Sequence, residues 1–325
     1  LHGLMLSGPY QVPAVKEDVY GVYTNATPVE AYRGAGRPEA TFMLERMMDR
    51  LADEIGMDPV EVRRRNLIPP FDNGHNVVTG LTYDSGNYQA ALARALAQAD
   101  YDGLRREQAA ARVKGRYIGI GVSTYVEICG LGPSQVAGAV GFQGGLWESA
   151  IVRFHPTGKV NVFIGASPHG QGEETTFAQI VADELGVGVN DVKIVHGDTD
   201  ATPMGWGTYG SRTTAVGGAA LAVATRKIKD KAKLLAGHLL EAAVEDIDYA
   251  DGRFFVKGVP DRYKTIQDIA LMANVAWNLP QGMEAGLEAS SFYDPPNFVY
   301  PFGAHVAVVA VDAQTGPVGL KRYIA

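Results

Sequence analysis

The sequence predicts an α+β fold of mixed sheets with helices, and three observations carry that expectation. Strand-like and helical stretches succeed each other without a regular βαβ repeat, which argues against a doubly wound parallel sheet. Turns such as Pro156-Thr157-Gly158 and Gln314-Thr315-Gly316 separate neighbouring strand candidates. Three glycine-rich loops each run directly into a helical stretch.

Residues 13–27 read as extended segments and turns, with Val22 and Tyr23 in a strand. Pro38 stands where a helix begins. Met43, Met47, Leu51 and Ile55 follow at i, i+4, so 38–55 is an expected amphipathic helix with Met43 and Met47 at core spacing, ended by Gly56. Asp58, Pro59 and Glu61 suit the N-cap, N1 and N3 positions of a short helix carrying Arg63, Arg64 and Arg65. Residues 69–87 hold Pro69, Pro70, Gly74, Gly80 and Gly86 and are the best linker candidate, dividing the chain into 1–70 and 71–325. An Ala-rich helix at about 88–112 follows. Strands are expected at 117–127, 148–154, 159–164, 192–196 and 253–257, helices at about 173–185 and 212–245, and a hairpin at 302–312 and 316–324.

Composition bounds the function. The 325 residues are 46% hydrophobic and 20% charged, enough for one large domain or two medium ones. A net charge of −7 argues against a nucleic-acid partner, which wants a basic surface. No apolar run reaches the roughly 18 residues of a membrane span. The single Cys129 excludes an internal disulfide and any Cys-rich metal or Fe–S site within the chain, and it suits a reducing, cytoplasmic setting. The chain starts at Leu1 and stops at Tyr323-Ile324-Ala325 inside a strand-like stretch, so both ends read as cuts.

The loops carry the chemistry. Arg33-Gly34-Ala35-Gly36-Arg37 leads into Pro38, His169-Gly170-Gln171-Gly172 into Glu173, and Gly205-Trp206-Gly207-Thr208-Tyr209-Gly210-Ser211-Arg212 into the helix after Thr213. Glycine lets backbone N–H groups approach a ligand, and a helix N-terminus offers unpaired donors. One such loop is ordinary chain reversal. Three, two with arginine and one with glutamine, point to an anionic, hydrogen-bonding ligand. None is a Walker A loop or a dinucleotide fingerprint.

Ala31 to Glu39, preceded by Thr24-Asn25-Ala26 and followed by Glu61-Val62-Arg63-Arg64-Arg65-Asn66-Leu67, resembles the molybdenum-binding large subunit of the xanthine dehydrogenase, aldehyde oxidase and carbon monoxide dehydrogenase family. Gly170-Gln171-Gly172-Glu173-Glu174-Thr175, Gly197-Asp198-Thr199-Asp200 and Gly210-Ser211-Arg212 follow at that family's spacing. The resemblance implies two molybdopterin-binding domains, with 1–70 the C-terminal part of the first and 71–325 the N-terminal part of the second. It implies a molybdenum–molybdopterin cofactor, in its cytosine dinucleotide form, with no direct protein ligand to the metal. It also implies Fe–S and FAD partner chains in a dimer of heterotrimers. Residues implied at the cofactor are Arg33, Gly34, Ala35, Gly170, Gln171, Gly172, Gly210, Ser211 and Arg212. Ala35, Val122, Thr124, Tyr125 and Glu127 are implied as substrate-pocket walls.

The departures narrow the substrate. Gly34 stands where carbon monoxide oxidisers carry a copper-bridging cysteine, and Ala35 where purine oxidisers carry a stacking phenylalanine. Hydroxylation of an aldehyde or N-heterocycle, with water as oxygen source, is therefore expected, in a protein resembling carbon monoxide dehydrogenase large chains. The family's general-base glutamate is expected beyond Ala325, since Glu148 and Glu173 lie in other contexts, so the chain alone is expected to be inactive. A non-catalytic cofactor-binding module or orphan subunit, and a phosphate-binding protein of another kind, are the alternatives. Blander readings stand beside the sharp ones: Arg63 to Arg65 as a solvated or salt-bridged helix face, Gln171 as a helix cap, His169 as a loop hydrogen-bonder, Asp198 and Asp200 as turn formers, Glu127 as a salt-bridged strand residue and Cys129 as packing.

Overall fold

Helix α1 (Arg37–Glu54) begins after Gly36, whose φ of 94° favours glycine, and has Pro38 in its first turn. The computed structural model describes residues 1–139 and 141–325, which form two compact units, Leu1–Cys129 with Phe298–Ala325, and Gly130–Asn297. In the first unit α1 buries Arg37, Ala40, Glu45 and Ala52. The methionine row expected in the core is instead open: Met43 and Met47 are 49% and 61% exposed, beside exposed Phe42, Leu51 and Ile55. Periodicity identifies an apolar stripe but not which stripe meets this unit. The inward face is set by Glu45, whose carboxylate has buried partners. Val22 and Tyr23 belong to no strand and are exposed, because no neighbouring strand among the described residues offers them a ladder.

Asp58 caps α2 (Pro59–Asn66) as expected, its Oδ1 accepting from Val60 N at 2.8 Å. The stretch expected as a linker is folded: β1 (His75–Asn76) pairs with β2 (Thr82–Tyr83), Phe71 bridges Gly86, and Tyr83 is fully buried. The expected single helix after it is two, α3 (Tyr88–Ala99) and α4 (Tyr101–Val113). Asp100 takes a left-handed φ of 53° and caps the second through Gly103 N, which breaks the run. Strand β3 (Tyr117–Val126) ends this leg.

The second unit contains α5 (Ser134–Ala139), β4 (Glu148–Phe154), β5 (Val160–Ile164), α6 (Glu173–Leu185), β6 (Val192–Val195) and α7 (Ala219–Leu239). It continues through β7 (Ile247–Ala250), β8 (Arg253–Val256), β9 (Val259–Thr265), α8 (Ile266–Val275) and β10 (Glu288–Tyr293). One sheet has the order β10-β4-β5-β6, antiparallel except for the parallel β5–β6 pair that flanks α6. The other is the antiparallel β7-β8-β9. Val152, Val162 and Ile164 on the sheet meet Phe177 and Val181 of α6 and Leu221, Ala224, Ile228 and Leu235 of α7 in one dry core. The small residues at 220, 224, 232 and 236 let α7 lie close to the sheet. Helices α5 and α8 and strands β7, β9 and β10 lie outside the expected elements, although Thr265-Ile266-Gln267-Asp268 forms a reciprocal capping box that marks the start of α8. The chain returns to the first unit with β11 (Phe302–Val311) and β12 (Val318–Ile324), giving an antiparallel sheet β12-β11-β3.

Candidate functional site

In the second unit, two of the three glycine-rich loops lie together. The loop after β5 (residues 165–172) and the loop before α7 (205–212) meet at Thr208. Its hydroxyl accepts from Ser167 N at 3.1 Å and from Thr213 Oγ1 at 2.9 Å, and its carbonyl lies 3.0 Å from His169 Nε2. His169 is thus a loop hydrogen-bonder. Exposed Gln171 turns its Oε1 back to the backbone N–H of His169 rather than capping α6. Gly170, Gly172 and Gly210 all have positive φ, as does Ser211 at 54°. Asp198 Oδ1 accepts from the N–H groups of Asp200 and Ala201, a turn-former's role.

Arg212 sits beneath this surface, fully buried, and makes five hydrogen bonds, one for each N–H of its guanidinium. Nε donates to Leu131 O at 2.8 Å. Nη1 donates to Glu148 Oε2 at 2.8 Å and Gly207 O at 2.5 Å, and Nη2 to Leu146 O at 2.6 Å and Trp147 O at 3.1 Å. Its side chain therefore has no donor left for a phosphate. Glu148 has a fully buried side chain, and its Oε1 accepts from Ser149 N and packs against Gly165 and Gly205. A carboxylate so paired cannot serve as a general base.

In the first unit, Gly34, Ala35 and Gly36 hold φ values of 102°, 47° and 94° in succession. Arg33 is exposed, whereas Arg37 is buried. Nη1 of Arg37 donates to Gly34 O at 3.1 Å, and its Nε lies 3.8 Å from Glu127 Oε1. Glu127 follows β3, in which Val122, Thr124 and Val126 are buried while Ser123 and Tyr125 are less so. Side chains alternate along a strand, so the five implied wall residues cannot share one surface. Thr124 is 2% exposed, with its N–H and hydroxyl donating to Glu45 and the hydroxyl also 2.7 Å from Tyr10 Oη. Tyr125 and Glu127 remain as the accessible pair.

That same network holds Arg63, which is fully buried. It bonds Glu45 Oε2 at 2.8 Å, Asp49 Oδ1 at 2.9 Å and the carbonyls of Pro59 and Glu45. Burial is the largest single influence and opposes its charge, but Glu45, Tyr10 and Asp49 together outweigh it and raise its pKa. Burial, and then the Glu45 carboxylate, likewise raise the Tyr10 phenol well above its ordinary value. Arg63 is thus salt-bridged and not solvated, while Arg64 and Arg65 are exposed.

Family models described as molybdopterin cofactor-binding domain match residues 2–67 and 94–325. The chain belongs to this family. It is 43% identical over 324 residues to the carbon monoxide dehydrogenase large chain of Hydrogenophaga pseudoflava, covering 98% of this chain and 40% of that one. The crystal structure of a Cu,Mo-CO dehydrogenase superposes with a TM-score of 0.92 at 41% identity, over 99% of this chain and 41% of that chain. Quinoline 2-oxidoreductase from Pseudomonas putida 86 does so with a TM-score of 0.91 at 38% identity, over 99% and 41%. The chain thus spans about two fifths of the length of these relatives.

The residues fit a molybdopterin. Buried polar atoms without hydrogen-bond partners among the described residues include Trp206 Nε1 and Glu173 Oε2, one in each loop region of the second unit, and Arg37 Nε in the first. Buried orphans of this kind are rare. A pterin carries both ring N–H donors and acceptors, which suits an orphaned carboxylate oxygen and orphaned N–H groups alike. The sequence does not mark roles for Trp206, Thr208 and Glu45, and it offers Glu148 only as a rejected general-base candidate, not as a partner of Arg212. The first two lay inside a quoted motif, but the two glutamates act through residues distant in sequence. Among the described residues no helix is long and apolar enough to cross a membrane.

Proposed function

We propose that this chain is the cofactor-cradling core of a molybdenum hydroxylase large subunit that oxidises an aldehyde or an N-heterocycle. The carrying observation is the pair of buried polar atoms without hydrogen-bond partners at Glu173 and Trp206, one in each glycine-rich loop region of the second unit. In this reading Arg33, Gly34 and Ala35 of the first unit bind the cofactor, Ala35 only by its surface, since its N–H already donates to Tyr32 O at 2.7 Å. In the second unit Gly170, Gln171, Gly172, Gly210 and Ser211 bind it through backbone N–H groups and exposed side chains, while the buried bonds of Arg212 hold its loop. Tyr125 and Glu127, with Ala35, face the substrate. The cofactor, when bound, supplies two-electron oxidation with oxygen from water. The chain's residues contribute hydrogen bonds that orient it and a pocket that admits the substrate.

Copper chemistry is disfavoured at residue 34. A Cβ there would lie 2.4 Å from the ring of Pro38, on a backbone with φ of 102°. The loop as folded therefore requires glycine where a bridging cysteine would stand. Quinoline 2-oxidoreductase among the similar structures supports an aromatic N-heterocycle as substrate class. The cytosine dinucleotide form of the cofactor, Fe–S and FAD partner chains, a dimer of heterotrimers and a cytoplasmic location belong to the same proposal, as does the division into two cofactor-binding domains near residue 70.

The test is metal and pterin analysis of the purified full-length parent, followed by dye-coupled turnover of a panel of aldehydes, N-heterocycles and carbon monoxide. Near-stoichiometric molybdenum without copper, and turnover of a member of the first two classes, is expected. A protein without molybdenum, or one that turns over carbon monoxide alone, defeats the reading.

A further inference from the structure

The second unit spends a fully buried ion pair directly under the two loops proposed to bind the cofactor. Each of Arg212's five bonds ends on a different group: Leu131, Leu146 and Trp147 before β4, Gly207 inside the second loop, and the Glu148 carboxylate. The backbone adds to this seat, with Gly130 N donating to Ser211 O at 2.9 Å and Leu131 N to Gly210 O at 3.3 Å. Glu148 in turn meets both loops. A Cβ on Gly205 would lie 1.7 Å from Glu148 Oε1 and 2.7 Å from Gly165 Cα. A Cβ on Gly165 would lie 2.5 Å from both Glu148 Oε1 and Gly205 Cα. The carboxylate thus fills space where the two loops cross, and a side chain on either glycine would collide with it.

Stability alone is a poor reason for such a pair, since well-packed apolar residues often replace a buried ion pair without loss. What an apolar pair cannot do is direct five bonds at carbonyls and a carboxylate in separate segments. We infer that Arg212 and Glu148 are positioning residues that fix the crossing of the 165–172 and 205–212 loops, and so set the geometry of the donors those loops present. This rests on the cofactor reading above. Arg212 acts through the loop and not by touching the cofactor.

The experiment uses the full-length parent in its complex. Melting temperature, molybdenum and released pterin per folded chain are measured for wild type, Glu148→Gln, Arg212→Lys and the double variant Glu148→Leu/Arg212→Met. The single variants are expected to melt lower and to hold at least ten-fold less molybdenum per folded chain. The double variant is expected to regain most of the melting temperature without regaining molybdenum. Recovery of molybdenum together with melting in the double variant would overturn the inference, because the pair would then be structural only. So would single variants that keep their molybdenum, or a double variant that fails to fold, which would assign the pair to folding itself. A wild type without molybdenum refutes the cofactor reading instead.

Discussion

Replacing Arg63 with leucine should cost far more than a surface ion pair would. The substitution removes bonds to Glu45 Oε2, Asp49 Oδ1 and the carbonyls of Pro59 and Glu45, all from a fully buried guanidinium. Glu45 keeps the Tyr10 hydroxyl and the Thr124 N–H, but its charge loses its counter-ion inside the unit. Breaking a buried pair by removing one partner costs about 3–5 kcal/mol. At about 2–4 °C per kcal/mol for a unit of this size, the melting temperature should fall by roughly 6–20 °C. The assay is thermal unfolding followed by near-ultraviolet circular dichroism, with Arg63→Leu/Glu45→Met alongside. The double variant should recover part of the loss, because it removes the stranded charge but leaves the Thr124 N–H without its acceptor. A loss below about 1 kcal/mol for Arg63→Leu would place the pair in the class of exposed salt bridges and refute the argument from burial.

Three further outcomes are expected. Gly34→Cys should destabilise the first unit by about 1–3 kcal/mol through its left-handed backbone alone, before any clash with Pro38, and should not confer copper binding. Metal analysis of that variant with a bound equivalent of copper would contradict it. Tyr10 carries a raised folded pKa, so the stability its neutral form confers is complete below its unfolded value near 10.0 and is lost as pH rises beyond it. Melting temperatures measured between pH 8 and about 11.5 should fall less steeply for Tyr10→Phe than for wild type. Arg33→Ala and Gln171→Ala change exposed side chains and should alter stability by no more than about 0.5 kcal/mol, yet lower the molybdenum content of the parent protein. Unchanged molybdenum and turnover in both would remove these two residues from the site.

The local sequence determined much of this protein. Asp58 before Pro59 specified a helix start through its own carboxylate, and the span 173–185 was bounded by glycines on both sides. The three loops were legible because a glycine run before a helix is a local signal, and their order carried the family. Tertiary structure decided the rest, for one physical reason: burial and pairing belong to the neighbours a residue meets, not to its own sequence window. The Met43–Met47 stripe has helical period but faces outward, because Glu45 on the other face finds Arg63, Tyr10 and Thr124. Val122 and Thr124 were read with Tyr125 and Glu127, and only the pleat of β3 separated the two sets. Arg212 was legible as part of a cofactor motif. Its five bonds, and the carboxylate of Glu148 that receives one of them, exist only where distant segments of the second unit converge.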